Sequence, residues 1–194
     1  MSIYLRHALP AAAAITLTLA AAAHASAAPA TVTAAELRAD KAPFLRAGAP
    51  VRSSQLSVRT LIDAKHGFAL ASVGQAQYPA ATADGGKTWR IDGPHLHVNA
   101  ANAPDAVASV GAVGPATYFA YAGPSGGQSV AVSTDAGEHW WRAYLPGVPL
   151  AVLADHVGGR AALVALVESN PAQFWAYVST DGGKHWRYDR NTFV

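Results

Sequence analysis

The sequence contains no cysteine. Without thiols there is no disulfide, thiolate metal site, cysteine nucleophile or lipidated N-terminal Cys, so stability rests on packing alone. Charge is also sparse: Asp, Glu, Lys and Arg make up 13% of 194 residues, and the formal net charge is +2. The bases are scattered, and no run could track a phosphate backbone, which argues against nucleic acid as a partner. Glutamate is scarce, at Glu36, Glu138 and Glu168 only. Gly123-Pro124-Ser125-Gly126-Gly127 lacks the Lys and the following helix of a P-loop, and no G-x-S-x-G elbow is present. What remains is a 51% apolar chain, long enough for one globular domain with a real core.

The first 27 residues form a separate unit. Met1 to His7 carries one base (Arg6) and no acid, and an apolar stretch runs from Ala8 to about Ala23. Ala25-Ser26-Ala27 then offers small residues ahead of Ala28-Pro29. This is the pattern of a secretory signal peptide, too short and Ala-rich for a spanning anchor. No twin Arg is present, so a Sec-type route to a secreted or periplasmic location is expected, with no membrane anchor after cleavage.

The organising feature downstream is a repeat. Thr82-Ala83-Asp84-Gly85-Gly86-Lys87-Thr88-Trp89, Ser133-Thr134-Asp135-Ala136-Gly137-Glu138-His139-Trp140 and Ser179-Thr180-Asp181-Gly182-Gly183-Lys184-His185-Trp186 align without gaps as [ST]-x-D-x-G-x-x-W. Asp84 to Asp135 is 51 residues and Asp135 to Asp181 is 46. An Asp in a tight turn accepts backbone N–H bonds, and a hydroxyl two residues earlier adds another. Gly86, Gly137 and Gly183 hold the one position that is Gly in every copy besides the Asp-Trp frame, which predicts positive φ. Trp89, Trp140 and Trp186 then open a strand and bury a large ring.

Short β-prone runs flank each motif: Val58–Ile62, Phe68–Val73, Tyr78–Thr82 and Thr88–Ile91; Ala106–Val110, Thr117–Ala122, Ser129–Ser133 and Trp140–Leu145; Leu150–Ala154, Ala161–Glu168, Phe174–Ser179 and His185–Asp189. Four strands per unit of about 45–50 residues match a propeller blade. Runs such as Phe174-Trp175-Ala176-Tyr177-Val178 are apolar throughout, as in sheets covered on both faces.

At these residues the chain resembles the BNR/Asp-box superfamily of bacterial sialidases, sortilin-type ectodomains and photosystem II assembly propellers. The pairing of His66-Gly67-Phe68-Ala69-Leu70 with Asp84-Gly85-Gly86-Lys87-Thr88-Trp89 is especially similar to the assembly-factor type. The resemblance spans about residues 57 to 190 and implies an all-β, propeller-like array of about three four-stranded antiparallel blades. It also implies structural Asp boxes: Thr82, Asp84, Gly86 and Trp89; Ser133, Asp135, Gly137 and Trp140; Ser179, Asp181, Gly183 and Trp186. The domain reading is 1–27 signal peptide, 28–56 linker with a short helix, and 57–194 repeat domain. Thr33-Ala34-Ala35-Glu36 reads as a capping box opening that helix, while Pro50-Val51-Arg52 could pair as an edge strand. Closed propellers carry about four to eight blades, so three leave two sheets uncovered. Terminal strands cover them, or a homodimer completes a six-blade ring, or the array is incomplete.

The remaining chemistry is thin. A sialidase needs three Arg for a carboxylate, a Tyr activated by a Glu, and an acid. Arg90, Arg142 and Arg187 follow the repeat Trp and read as strand residues; Arg38, Arg46, Arg52, Arg59, Arg160 and Arg190 are unassigned. Phe44-Leu45-Arg46-Ala47-Gly48-Ala49-Pro50 is only a loose echo of the family's early Arg motif. Pro94-His95-Leu96-His97 places two imidazoles on one face of an extended segment, but spacing fixes no third ligand, so it reads as a loop between repeats. His139 and His185 are expected to pack on their turns, and His66 and His156 receive no role. The sequence therefore assigns no catalytic residue, cofactor or metal. It points to an exported, non-enzymatic protein that binds an unknown protein or glycan. The alternatives are a sialidase-like glycosidase or its remnant, and an assembly factor for a membrane complex.

Overall fold

A computed structural model describes residues 30–41, 45–74, 76–98, 109–122, 127–157, 160–170 and 173–190, without side chains at 156, 157, 160 and 170. The segment expected to be a signal peptide, the start of the strand expected from Ala106, the Gly123–Gly126 loop and the His156 side chain lie outside the described residues. In chain order the strands are β1 (Thr31–Thr33), β2 (Ala35–Leu37), β3 (Pro50–Val51), β4 (Leu56–Leu61), β5 (Gly67–Val73), β6 (Ala76–Thr82) and β7 (Trp89–Ile91). They continue as β8 (Ser109–Val113), β9 (Thr117–Tyr121), β10 (Ser129–Ser133), β11 (Trp140–Tyr144), β12 (Val148–Val157), β13 (Arg160–Asn170), β14 (Gln173–Ser179) and β15 (His185–Asp189). A single 3-10 turn covers Ser53–Gln55, and there is no α-helix among the described residues. None of their helices is long and apolar enough to cross a membrane.

The strands form three antiparallel five-stranded sheets, β3-β7-β6-β5-β4, β2-β11-β10-β9-β8 and β1-β15-β14-β13-β12. Four strands of each come from one repeat as a meander, which the sequence expects. The fifth is a correction. The helix expected at Thr33-Ala34-Ala35-Glu36 is absent, and the segment instead lends a short strand to each sheet in turn. β1 pairs with β15, β2 with β11 and β3 with β7, so the N-terminal segment closes all three outer edges. The edge pairing expected of Pro50-Val51-Arg52 is therefore found at its first two residues. Thr33 and Glu36 can cap a helix locally, but the unpaired edges of β15 and β11 offer the same amides a complete ladder, and tertiary pairing overrides local preference.

Three buried clusters organise the packing. Phe68 and Leu70 of β5 meet Tyr118, Ala120, Ala131 and Trp140 of the second sheet. Phe119, Val130 and Val132 of the second sheet meet Leu163, Val167, Trp175, Tyr177 and Trp186 of the third. On the far face of the first sheet, Tyr78, Trp89 and Ile91 are covered by Leu45, Ala49, Val51 and Leu56. The central strand β10 is buried at all five positions, while the margin strand β4 alternates half-buried and exposed. Sheets stacked on both faces explain why alternation is weak in the central strands and clean at the margin.

Candidate functional site

Each box sits between two strands of one sheet and is built the same way. In the first turn the Thr82 hydroxyl donates to Asp84 Oδ1 at 2.8 Å and accepts the Gly86 N–H at 3.0 Å. Asp84 Oδ1 also accepts the Thr88 N–H (2.9 Å), and Oδ2 takes the Thr88 hydroxyl (2.6 Å). In the second, Ser133 donates to Asp135 Oδ1 (2.8 Å) and accepts the Gly137 N–H (2.9 Å). The third repeats this with Ser179, Asp181 and Gly183 at 2.9 and 2.8 Å. His139 and His185 stand where Thr88 does: each backbone N–H bonds Oδ1 of its aspartate, and each Nδ1 lies 2.6 Å from Oδ2. Both oxygens of every box aspartate are thus taken within its own turn.

The turn needs two successive residues at positive φ. They are Gly85 and Gly86 (75° and 84°), Ala136 and Gly137 (57° and 97°), and Gly182 and Gly183 (74° and 86°). The second of each pair is expected from the sequence, and the first is added by the structure. Ala136 holds a conformation that an L-residue adopts only at a cost. After the turn, Trp89 Nε1 donates to Gly86 O (3.1 Å) and Trp186 Nε1 to Gly183 O (2.9 Å). Trp140 departs from this pattern. Its ring lies 5.6 Å from that of Phe68 across the sheet interface, and its buried Nε1 has no hydrogen-bond partner.

These bonds set the carboxyl acidities. The Thr88 hydroxyl and N–H, then the Thr82 hydroxyl, hold Asp84 down at about 2. At Asp135 and Asp181 burial acts to raise the pKa. The histidine N–H and ring and the serine hydroxyl outweigh it, so both are lowered. A fourth Asx turn joins β4 to β5: Asp63 accepts the N–H groups of Lys65 and His66 and bonds the His66 ring, which places its carboxyl at about 2. His66 thereby gains a role that the sequence did not assign.

Two polar places lie outside the clasps. A cleft of about 510 Å³ runs between the first turn and the second sheet, lined in part by His66, Asp84, Arg90, Asp92 and Tyr118. Burial, with Glu138 second, pushes the Asp92 carboxyl up, and burial likewise raises the Tyr118 phenol, whose hydroxyl donates to Pro115 O. The other place is the connector after β7. Leu96 and Val98 are fully buried, and Leu96 N–H bonds Gln77 O. The buried Ser129 hydroxyl donates to the carbonyls of Val98 and His97 at 2.5 and 3.3 Å. His95 and His97 alternate with these anchors, and the chain brings Asp40, just beyond β2, beside them. His95 Nδ1 is 3.6 Å from Asp40 Oδ2, and His97 Nε2 is 3.8 Å from Asp40 Oδ1. Burial, then the neighbouring His97, holds His95 at about 4, against the pull of Asp40. Burial and the Arg142 guanidinium lower His97 as well. The sequence exposes the histidine pair; the third member, 55 residues away from His95, carries no sequence signal.

Among the described side chains, which leave out that of Arg160, the unassigned arginines are not gathered into a clamp by any single element. Arg38, Arg46, Arg52, Arg59 and Arg190 are exposed, at positions flanking β2, β3 and β15 or on β4. Arg90 donates to Gly48 O and Arg142 to His97 O.

No curated protein matches the chain. Residues 177–188, which run from the end of β14 through the third turn into β15, match the family model described as BNR/Asp-box repeat. That match covers the third copy, and the turns at Asp84 and Asp135 repeat its bonding, so the chain carries a BNR/Asp-box repeat at residues 177–188 and two turns of the same build before it.

Proposed function

We propose that the protein is an exported, non-enzymatic binding or scaffold protein, with propeller-like blades that offer edges and clefts to a partner protein or glycan. One observation carries this reading. The motif residues that could do chemistry are engaged in the clasps, each Asp with both oxygens bonded inside its own turn. A general acid or nucleophile needs a free oxygen directed at a substrate. The box residues Thr82, Ser133 and Ser179, with their Asp, Gly and Trp partners, are accordingly structural. The N-terminal segment supports export, and the cleft beside Arg90, Asp92 and Tyr118 supplies the mixed polar and aromatic lining that a sugar or peptide would meet.

The repeat family also contains sialidases, and hydrolysis of a 4-methylumbelliferyl sialoside and other aryl glycosides tests that alternative. The expected outcome is no turnover above buffer. Robust hydrolysis abolished by Arg46→Ala or Arg52→Ala would overturn the binding reading.

A further inference from the structure

We propose that Asp40, His95 and His97 form a site for one transition-metal dication of the Zn²⁺ class, with a coordination position left open to solvent. One ligand atom from each of His95, His97 and Asp40 lies within 4.8 Å of the other two. A tetrahedral zinc with ligands at about 2.0–2.1 Å separates them by about 3.3 Å along each edge. His95 Nδ1 is 3.6 Å from Asp40 Oδ2 and His97 Nε2 is 3.8 Å from Asp40 Oδ1, so the imidazoles face different oxygens, and binding through one oxygen requires the carboxylate to turn. Both distances are long for hydrogen bonds, so Asp40 is a weak partner of each imidazole. The three groups therefore converge loosely, unlike Asp135 and His139, which close to 2.6 Å inside their clasp.

The framework holds this convergence. Leu96 and Val98 fix the connector in the core, and the Ser129 hydroxyl pins the carbonyls of His97 and Val98 to β10. His97 has φ of 49°, a conformation disfavoured for a residue with a side chain. In it, the two imidazole centroids lie 3.5 Å apart, closer than two rings on one tetrahedral ion can stand, so binding requires the exposed His97 ring to swing outward. Strain of this kind persists where the surroundings over-determine it, and it concentrates at binding sites. The exposures grade from His95, 17%, to His97 and Asp40, 43% and 40%, so the site is anchored on one side and open on the other.

The donor set and its neighbour select the ion. Two nitrogens and one carboxylate suit Zn²⁺, Cu²⁺ or Ni²⁺, whereas Ca²⁺ and Mg²⁺ require a shell of oxygens. The Arg142 guanidinium donates to the His97 carbonyl at 3.4 Å, and its charge opposes an ion held by charge alone. Imidazole coordination withstands that better. Three protein ligands leave a fourth position for water or for a donor from a partner. Asp40 follows the strand added to the second sheet, and the histidines lie on the connector from the first, so a bound ion would tie the N-terminal segment to the junction of the two sheets.

The test is Zn²⁺ titration of the chelator-treated full chain by calorimetry, with Co²⁺ absorption and thermal melting in parallel. The expected result is one ion per chain with Kd at or below ~10 μM, visible Co²⁺ bands of four- or five-coordinate intensity, and a melting temperature that rises with Zn²⁺. His97→Ala and Asp40→Asn, both at exposed side chains, should each weaken binding by at least ~10-fold, the scale of losing even an outer-sphere partner. His139→Ala should leave binding unchanged. Far-ultraviolet circular dichroism confirms that each variant folds, and because His95 packs against Tyr78 the two exposed positions decide the matter. Absence of Zn²⁺ binding, or binding equal in wild type and the folded His97→Ala and Asp40→Asn variants, would overturn the proposal.

Discussion

At the scale of single residues, the box aspartates connect geometry to a measurable acidity. Asp84 and Asp63 are held near 2, and Asp135 and Asp181 are lowered as well, because donors from their own turns stabilise the ionised form. A depressed pKa in the folded state means that the unfolded chain takes up protons first. The contribution is present above the unfolded value of about 3.8 and is lost as pH falls through the folded value near 2. Urea midpoints should therefore fall between pH ~4 and ~2, and Asp84→Asn should make that fall shallower. A fall of the same size in the variant would separate the clasp from the acid transition. His139 has the opposite sense: the Asp135 bond raises its pKa, so its contribution is present below 6.5 and disappears as pH climbs past the raised value. Asp92 also differs from the box aspartates. Its raised carboxyl favours the folded state while protonated, and that help is lost as pH rises above 3.8.

At the scale of elements, the third turn is both a hairpin clasp and a contact on the preceding sheet. A Cβ added at Gly183 would lie 2.7 Å from Cβ and Cγ2 of Val132 in β10, whereas one at Gly86 would meet nothing closer than 3.6 Å. The two glycines share nearly the same φ, 86° and 84°. Gly86→Ala should thus cost about 1–2 kcal/mol of left-handed strain, and Gly183→Ala should add about 1–3 kcal/mol of overpacking at the sheet interface. Equal losses in denaturant melts would show that the third turn does not bear on the second sheet. The clasps were legible because their bonds are local: Ser179, Asp181 and Gly183 fall within five consecutive residues, and sequence spacing alone locates such a turn. The strands contributed by Thr31–Thr33 and Ala35–Leu37 were not, because their partners β15 and β11 lie more than 100 residues onward. The same holds for Asp40, which joins His95 and His97 only through the pairing of β2 with β11. Trp140 shows the limit within the motif itself. It shares the tryptophan position of the other boxes, yet contact with Phe68 of the neighbouring sheet takes the place of the indole bond to its own turn.

At the scale of the whole molecule, the stack has two unlike ends. The first sheet's outer face, with Trp89 and Ile91, is already covered by Leu45, Ala49, Val51 and Leu56. The third sheet's outer face leaves Leu153 62% and Phe174 49% exposed. Along β14, Ala176 and Val178 occupy the repeat positions of Val130 and Val132, the residues with which β10 meets the third sheet. Ala176 and Val178 are themselves buried, so what the third sheet leaves open is the pair Leu153 and Phe174, and a second copy of the chain is the occupant we predict for it. Joining third sheet to third sheet leaves the cover on the first undisturbed, whereas closing a six-blade ring through the first sheet requires that cover to move. Light scattering on a chain lacking residues 1–27 should give twice the mass of one such chain. The double variant Leu153→Ser, Phe174→Ser should shift it to one chain without loss of the β-sheet circular dichroism signal, because both side chains are exposed and outside the three buried clusters. A wild-type mass of a single chain across the accessible concentrations would rule out self-association. It would leave the Leu153–Phe174 face as the place to look for the partner protein.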